Sequence, residues 1–176
     1  MQKPMSNVGF KLMHLMFRVR DYFRPRMDLL KEAGIKSGCW VLDYGCGPGS
    51  YIVPLAELVG PTGKIYALDR HPLAIKEVTK IAAREGIENI ETIKSDCDTG
   101  LMYNSVDVVL LYDIFHELSH PDDVLRELHR VLKPQGIFSF SDHHMKEKDI
   151  SAKLTNGGMF HLLKKGKNTY RFSKAG

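Results

Sequence analysis

Beyond Trp40, short apolar runs alternate with segments in which apolar residues recur at every third or fourth position. The short runs are typical of buried β-strands, and the longer spacing is typical of helices with one apolar face. Residues 106–112 are almost continuous Val and Leu, the pattern of a strand covered on both faces in a parallel sheet. The predicted strands are 40–43, 64–68, 90–94, 106–112 and 137–141, and the predicted helices are 51–59, 72–85, 119–132 and 147–154.

Turn and cap signals divide this pattern into elements. His71-Pro72 and Gly86 predict the start and the end of the second helix. Ser119 predicts a hydroxyl cap at the third helix. Lys-Pro-Gln-Gly at 133–136 predicts the turn that ends it before the fifth strand.

Strands that alternate with helices predict an α/β doubly wound, Rossmann-like sheet that is parallel in its main part. Residues 159–163 and 169–172 predict a closing hairpin that adds an antiparallel strand at one edge. Residues 6–31 predict one or two helices that Pro25 kinks or splits. Because neither an internal repeat nor a linker is evident, we expect residues 1–176 to form a single domain.

The turn after the first strand indicates a ligand site. It reads Asp43-Tyr-Gly45-Cys-Gly47-Pro-Gly49, with three glycines at alternate positions. Glycine permits positive φ and leaves room for close approach to the backbone, and the following helix directs its first N–H groups at the same place. The spacing differs from Gly-x-Gly-x-x-Gly, and no Gly-Lys-Ser/Thr follows. We therefore expect a nucleotide-like ligand without a pyrophosphate.

Four predicted strands end in an acid, or just before one, at the edge where such folds bind ligands. These acids are Asp43, Asp69, Asp96 and Asp113. An isolated Asp would be explained as a turn residue, but four at one edge favour a polar, partly cationic ligand. Asp69 follows Gly49 by the interval at which an acid can accept both ribose hydroxyls.

Five motifs in order resemble those of class I S-adenosylmethionine-dependent methyltransferases, and the resemblance spans roughly residues 38–144. The small-molecule branch that includes the ubiquinone and menaquinone C-methyltransferases is the most similar. The motifs are Val41-Leu-Asp-Tyr-Gly-Cys-Gly-Pro-Gly49, Ala67-Leu-Asp69, Lys94-Ser-Asp96, Val108-Val-Leu-Leu-Tyr-Asp113 and Val131-Leu-Lys-Pro-Gln-Gly-Ile137.

The resemblance implies a seven-stranded sheet with a reversed last strand and S-adenosyl-L-methionine as cofactor. It also implies a helical lid at residues 1–37, in which Arg20, Tyr22 and Phe23 would cover the site, and an α/β core at 38–176. Packing in the core or at a dimer interface would explain the two aromatic residues about as well. By position, Gly45, Gly47 and Gly49 would surround the methionine part, and Asp43 would hold its ammonium group. Asp69 would accept the ribose hydroxyls, Arg70 would cover the adenine, Asp96 would accept from the adenine amino group, and Leu111 and Tyr112 would line the cofactor. Cys46 and Cys97 lie in these cofactor loops, where packing or backbone contact is the expected role.

The methyl acceptor should enter over the loops after the fourth and fifth strands. His116 or His143 could act there as general base, although a loop histidine is often incidental. The Asn/Asp-Pro-Pro-aromatic motif of the enzymes that methylate base nitrogens is absent, because the chain has Tyr112-Asp-Ile-Phe115 instead. A small-molecule acceptor is therefore expected. RNA or protein methylation, a nicotinamide-dependent oxidoreductase and a non-catalytic binding module remain as alternatives.

Charge and cysteine content complete the expectations. Residues 1–40 hold 8 Lys and Arg against 3 Asp and Glu, residues 41–145 hold 9 against 16, and residues 146–176 hold 8 against 2. Basic ends could meet nucleic acid, an anionic membrane surface or an anionic substrate, but solvated surfaces are often charged in this way. Three cysteines without a Cys-x-x-Cys pair favour a cytoplasmic protein without a metal site. Apolar runs are too short to span a bilayer, and a homodimer is possible.

Overall fold

The computed structural model describes the backbone of residues 6–23 and 26–175, and the side chains of residues 6–16 and 26–175. Strands and helices alternate from Trp40 onwards, as the sequence predicts. The strands are β1 (Trp40–Tyr44), β2 (Lys64–Asp69), β3 (Ile90–Lys94), β4 (Val106–Tyr112), β5 (Leu132–Ser141), β6 (Phe160–Lys165) and β7 (Tyr170–Lys174). The helices are α1 (Asn7–Phe23), α2 (Met27–Glu32), α3 (Ile52–Val59), α4 (Pro72–Glu85), α5 (Pro121–Val131) and α6 (Glu147–Thr155).

The seven strands form one sheet in the order β3-β2-β1-β4-β5-β7-β6. Neighbouring strands from β3 to β5 pair in parallel, and β7 pairs antiparallel with both β5 and β6. The predicted doubly wound, seven-stranded and mostly parallel sheet is therefore confirmed. The reversed strand β7 lies one place in from the edge, because β6 occupies the edge itself.

Helices cover both faces of the sheet and bury two apolar cores. On one face, Leu30 of α2, Leu55 of α3 and Val78 of α4 pack with β1, β2 and β4. On the other, Leu128 of α5 and Leu154 of α6 pack with a group of buried phenylalanines. Successive strands are added on one side of β1 up to β3 and on the other side from β4 onwards, so the strand order reverses between β1 and β4. The carboxyl ends of the parallel strands open into a crevice at this point.

Two predictions about element ends are wrong. Helix α5 has His120 at its N-cap position with no side-chain cap hydrogen bond, so Ser119 is not the cap. Strand β5 begins at Leu132, ahead of the predicted start at 137, because residues 133–136 form a bulge within the strand. The Asp107 carboxylate holds this bulge by accepting from Lys133 Nζ at 2.6 Å, and it also accepts from Trp40 N at 2.8 Å.

The N-terminal segment forms two helices, α1 and α2, in agreement with the predicted break at Pro25, which lies outside the described residues. The Phe10 ring of α1 stacks on the His71 ring at 4.6 Å, which places α1 beside the N-terminus of α4. The side chains of Arg20, Tyr22 and Phe23, predicted to cover the site, lie outside the described part. Within the described ranges, every helix is too short or too polar to cross a bilayer.

Candidate functional site

A cavity of about 490 Å³ lies at the carboxyl ends of β1 to β4. It brings together five residues predicted to bind the cofactor, Gly45, Asp69, Arg70, Asp96 and Cys97. The loop that follows β4 supplies much of the remaining wall. The other lining residues are Tyr44, Leu68, Lys94, Ser95, Ile114, Glu117, Leu118, Ser119, His120, Asp123 and Val124.

The glycine turn is fixed to the end of β2 by its own backbone. The N–H groups of Gly45 and Cys46 donate to Leu68 O at 2.8 and 2.9 Å, and Gly47 N donates to Asp69 Oδ2 at 2.9 Å. At Gly47, which has φ +51°, an added Cβ would meet no atom within 4 Å. The space over this part of the turn is open to a ligand.

Gly49 has a different role in the same turn. Its φ is +87°, and an added Cβ would lie 2.9 Å from Ile81 Cδ1 and 3.2 Å from Val78 Cγ2. A side chain at position 49 would therefore separate the turn from α4. The absence of a side chain at Gly49 therefore lets the glycine turn pack closely against α4.

Asp43, at the end of β1, is a buried carboxylate with only 3% exposure. Within the described residues its Oδ2 atom has no hydrogen-bond partner. Burial, with a contribution from the negative charge of Asp69, raises the pKa of Asp43 to about 7. Buried charges are normally paired, so a positively charged ligand group that reached Asp43 would stabilise its carboxylate.

Asp69 links the glycine turn to α4. Its Oδ2 accepts from Gly47 N, and its Oδ1 accepts from His71 N at 2.7 Å. Burial raises the pKa of Asp69, although these two hydrogen bonds and the charges of His71 and Arg70 oppose that rise. Each carboxylate oxygen can accept a further hydrogen bond, so Asp69 can serve the cavity while it holds the turn.

At the far side of the cavity, the 95–97 loop is positioned by β1. Tyr44 Oη donates to the backbone oxygen of Asp96 at 2.8 Å, and Cys97 N donates to Ser95 Oγ at 3.2 Å. A backbone contact between Cys97 and a ligand, one of the two roles predicted for this residue, would compete with the local bond if it used the Cys97 N–H. Burial raises the pKa of both the Cys46 and the Cys97 thiol, so neither is activated as a thiolate.

Leu111 and Tyr112 lie in the two cores rather than on the cavity wall. Leu111 is fully buried, and the Tyr112 hydroxyl is 2.7 Å from Ser139 Oγ. The Tyr112 ring also packs edge-on against Tyr51, with 5.4 Å between centroids. A cofactor-lining role for these two residues stays a prediction.

The loops after β4 and β5 bring together a group that we call the histidine cluster, comprising Asp113, His116, Asp142, His143 and His144. His116 Nδ1 is 2.9 Å from Asp142 Oδ2 and 3.0 Å from Oδ1. Asp142 is buried, which alone would raise its pKa, but hydrogen bonds from His116 and from the backbone of His116 and His144 hold the pKa below its usual value. Asp142 is therefore ionised, and its carboxylate orients the His116 ring.

His143 has a second carboxylate partner within the cluster. Its Nδ1 is 2.8 Å from Asp113 Oδ1, and its backbone N–H donates to the same oxygen. The His143 and His144 rings are 3.9 Å apart, and the His116 and His144 rings are 4.1 Å apart. The two histidines predicted as bases thus lie in one cluster, and each has a carboxylate partner.

Asp113, Asp142 and His143 each offer one possible ligand atom, and these atoms lie within 4.8 Å of one another. Both oxygens of Asp142 already accept hydrogen bonds from His116 or His144. The described contacts of the cluster are hydrogen bonds between the two loops. The absence of a metal stays a prediction.

The sequence left several site residues unassigned. Asp142 could have been found, because it follows β5 as the other acids follow their strands. His120 occupies the N-cap position of α5, where its sequence context indicates only a helix start, yet its side chain makes no cap hydrogen bond, and His120 lines the cavity. Ile114 and Leu118 carry no local signal, since only the folding of the loop after β4 turns them toward the cavity, and Val124 joins the cavity wall from the first turn of α5.

Comparisons with known proteins agree with this arrangement. A family model described as a methyltransferase domain matches residues 35–176. Demethylmenaquinone methyltransferase of Geobacillus stearothermophilus is 30% identical over 126 residues, which cover 71% of this chain and 54% of that protein. Aklanonic acid methyltransferase of Streptomyces sp. strain C5 is 32% identical over 106 residues, which cover 56% of this chain and 48% of that protein.

The chain thus spans about half the length of the curated relatives it matches. Among solved structures, a SAM-dependent methyltransferase from Aquifex aeolicus has a TM-score of 0.76 and 27% identity, and the match covers 92% of this chain and 97% of that one. The family match extends through the glycine turn, the cavity and the histidine cluster. The chain belongs to the class I S-adenosylmethionine-dependent methyltransferases.

Proposed function

We propose that the chain transfers a methyl group from S-adenosylmethionine to a small-molecule acceptor at the carboxyl edge of its sheet. The observation that carries this proposal is the buried Asp43 carboxylate, whose Oδ2 has no partner among the described residues and whose pKa is raised to about 7. An ammonium group supplied by the cofactor would neutralise this charge. The open space over Gly47 leaves room for it.

The residues that line the cavity fit the rest of the cofactor. Asp69 has acceptor capacity for ribose hydroxyls in addition to the two N–H groups that it already holds. Asp96 and Arg70 line the same cavity, where they would contact the adenine. When bound, S-adenosylmethionine supplies a methyl group that is attached to a positively charged sulfur. After the transfer, this sulfur is part of a neutral thioether, which is the leaving group.

The histidine cluster would receive the acceptor and its proton. If the Nδ1 proton of His116 is donated to Asp142, the Nε2 atom is left as the acceptor for a substrate proton. Asp142 would stabilise the imidazolium that forms. His143 and Asp113 provide a second pair of the same kind, but the His143 side chain is more exposed than that of His116.

We propose a low-mass organic acceptor because the sequence relatives are named for demethylmenaquinone and aklanonic acid. Nucleic acid is not favoured. We further propose residues 1–37 as a lid on a core at 38–176, a cytoplasmic location consistent with three free cysteines, and a possible homodimer, which light scattering would test.

The test is a methyl-transfer assay with label on the methyl group of S-adenosylmethionine. Purified protein is incubated with a panel of hydroquinones and phenols, and separately with total RNA. We expect label in a low-mass, solvent-extractable product. Asp69→Ala should abolish it, whereas Glu88→Ala, which removes an exposed carboxylate outside the cavity lining, should not.

Two outcomes would contradict the proposal. Label that enters only RNA would make the acceptor a nucleic acid. Tight binding of the cofactor without transfer to any acceptor would favour a non-catalytic binding module.

A further inference from the structure

Helix α1 presents an apolar face that its packing leaves uncovered. Val8, Leu12, Leu15 and Met16 are between 59% and 77% exposed, and their spacing places them on one face of the helix. On another face, Phe10 is buried and stacks on His71. The helix is therefore docked on the protein through Phe10, while large apolar side chains point to solvent, where polar residues are normally found.

The sequence around this face is basic in composition. Lys11 is exposed on the same helix, and no acid occurs before Asp21. The first 40 residues carry 8 Lys and Arg against 3 Asp and Glu. An amphipathic helix with exposed Leu and Met beside basic residues has the composition of helices that lie in the headgroup region of an anionic bilayer.

A second element at the same edge of the sheet has the same character. Strand β6 runs parallel to β5, since both pair antiparallel with β7, so β6 also ends at the carboxyl edge. Leu162 and Leu163 of β6 are exposed, and the neighbouring Lys164 and Lys167 are exposed as well.

The turn between β6 and β7 is firmly held. Glu32 of α2 accepts hydrogen bonds from the backbone N–H groups of Asn168 and Thr169 at 3.0 and 3.1 Å, and also from both side chains. Burial would raise the pKa of Glu32, but these bonds hold it below its usual value. The basic turn thus has a fixed position relative to α2.

We propose that the carboxyl edge of the sheet docks on the surface of an anionic lipid bilayer, with α1 on one side and the β6–β7 turn on the other. Two separate apolar patches, each with exposed lysine, have the composition that binds a surface that is anionic outside and apolar beneath. A nucleic acid backbone would contact the lysines but would leave the exposed Leu and Met side chains without partners.

Docking in this orientation would bring the site to the membrane. Phe10 of α1 contacts His71, which follows Asp69 and Arg70 of the cavity wall. The histidine cluster follows β4 and β5, which lie between β2 and β7 in the sheet. An acceptor dissolved in the bilayer could then enter the site without crossing water. Only this consequence rests on the proposed function, since the docking surface itself is independent of methyl transfer.

The test is co-sedimentation of the full chain with vesicles, which requires no activity. One set of vesicles is phosphatidylcholine alone and the other contains about one-third phosphatidylglycerol. We expect at least tenfold stronger binding to the anionic vesicles, weakened by high salt. The double variant Leu12→Glu/Leu15→Glu should lose at least tenfold in affinity, and Lys164→Glu/Lys167→Glu should weaken binding as well.

Met102→Glu is the matched control, because Met102 is 75% exposed but belongs to neither patch, and it should bind as the wild type does. Circular dichroism and the midpoint of urea unfolding check that each variant is folded, and both should match those of the wild type. Equal binding to both vesicle types, or wild-type binding by the α1 double variant, would overturn the proposal. A dimer that the α1 variant converts to a monomer, without vesicle binding by the wild type, would assign the face to a second copy and also overturn it.

Discussion

Replacing Asp43 with Asn should remove a pH-dependent loss of stability from the cofactor-free protein. Asp43 is buried, and its pKa is raised from 3.8 to about 7, mainly by burial and in addition by Asp69. A carboxyl whose pKa is higher in the folded chain than in the unfolded chain holds its proton longer when folded. Stability should therefore fall as the pH rises between about 4 and 7.

The size of the effect follows from the shift. One pKa unit corresponds to about 1.4 kcal/mol, so a shift of about three units costs about 4 kcal/mol above pH 7. Between pH 5 and pH 8 the wild type should lose about 2 to 3 kcal/mol through Asp43 alone. Asn carries no charge in this range, so Asp43→Asn should not show this contribution.

The assay is urea denaturation of both proteins at pH 5 and pH 8. We compare the unfolding free energy of the variant with that of the wild type at each pH. From pH 5 to pH 8, this difference should change by about 2 to 3 kcal/mol in favour of the variant. Saturating S-adenosylhomocysteine should reduce this growth, because its ammonium group would pair with the Asp43 carboxylate. A difference that stays constant between the two pH values would refute the claim that Asp43 is a buried, uncompensated acid.

The remaining predictions concern the histidine cluster and the glycine turn. Asp142→Asn should lower kcat about tenfold or more without changing cofactor affinity. Adding His116→Gln to this variant should lower kcat little further, because the two side chains act as a pair. Additive losses of kcat would contradict this pairing. Gly49→Ala should destabilise the protein by about 1 to 3 kcal/mol in urea denaturation, since its Cβ would lie 2.9 Å from Ile81 Cδ1 at φ +87°. Gly86→Ala, at φ +66° with open space around it, should cost less. Dialysis against EDTA should leave methyl transfer unchanged, and a loss that a divalent cation restores would make the cluster a metal site.

Local signals were sufficient to predict most of the fold. Strand β4 spans Val106–Tyr112 as predicted. An almost continuous run of Val and Leu is typical of a strand whose two faces are both buried. Helix α4 begins after His71 and ends at Gly86, which adopts the left-handed conformation, because both signals act through the backbone within one turn. The acid at Asp69 was placed correctly for the same reason, since the β2 pattern fixes where that strand ends.

Errors arose where distant residues decide the outcome. The bulge at 133–136 depends on Asp107 in the neighbouring strand, which no pattern within β5 reveals. The pairing of His116 with Asp142 joins residues 26 positions apart, so the sequence could propose His116 but not its partner. The exposed face of α1 has the spacing of an ordinary core-facing helix, and only the structure shows that this face is uncovered.

The central claim is that the glycine turn and the acids at the strand ends bind the adenosine cofactor. Its most direct test is calorimetric titration of S-adenosylhomocysteine into the wild type, Asp69→Ala and Glu88→Ala. We predict saturable binding to the wild type and to Glu88→Ala, and affinity at least tenfold weaker for Asp69→Ala, since a charged hydrogen-bond acceptor contributes about 1.5 to 3 kcal/mol. No binding to the folded wild type, or equal affinity in Asp69→Ala, would contradict the claim.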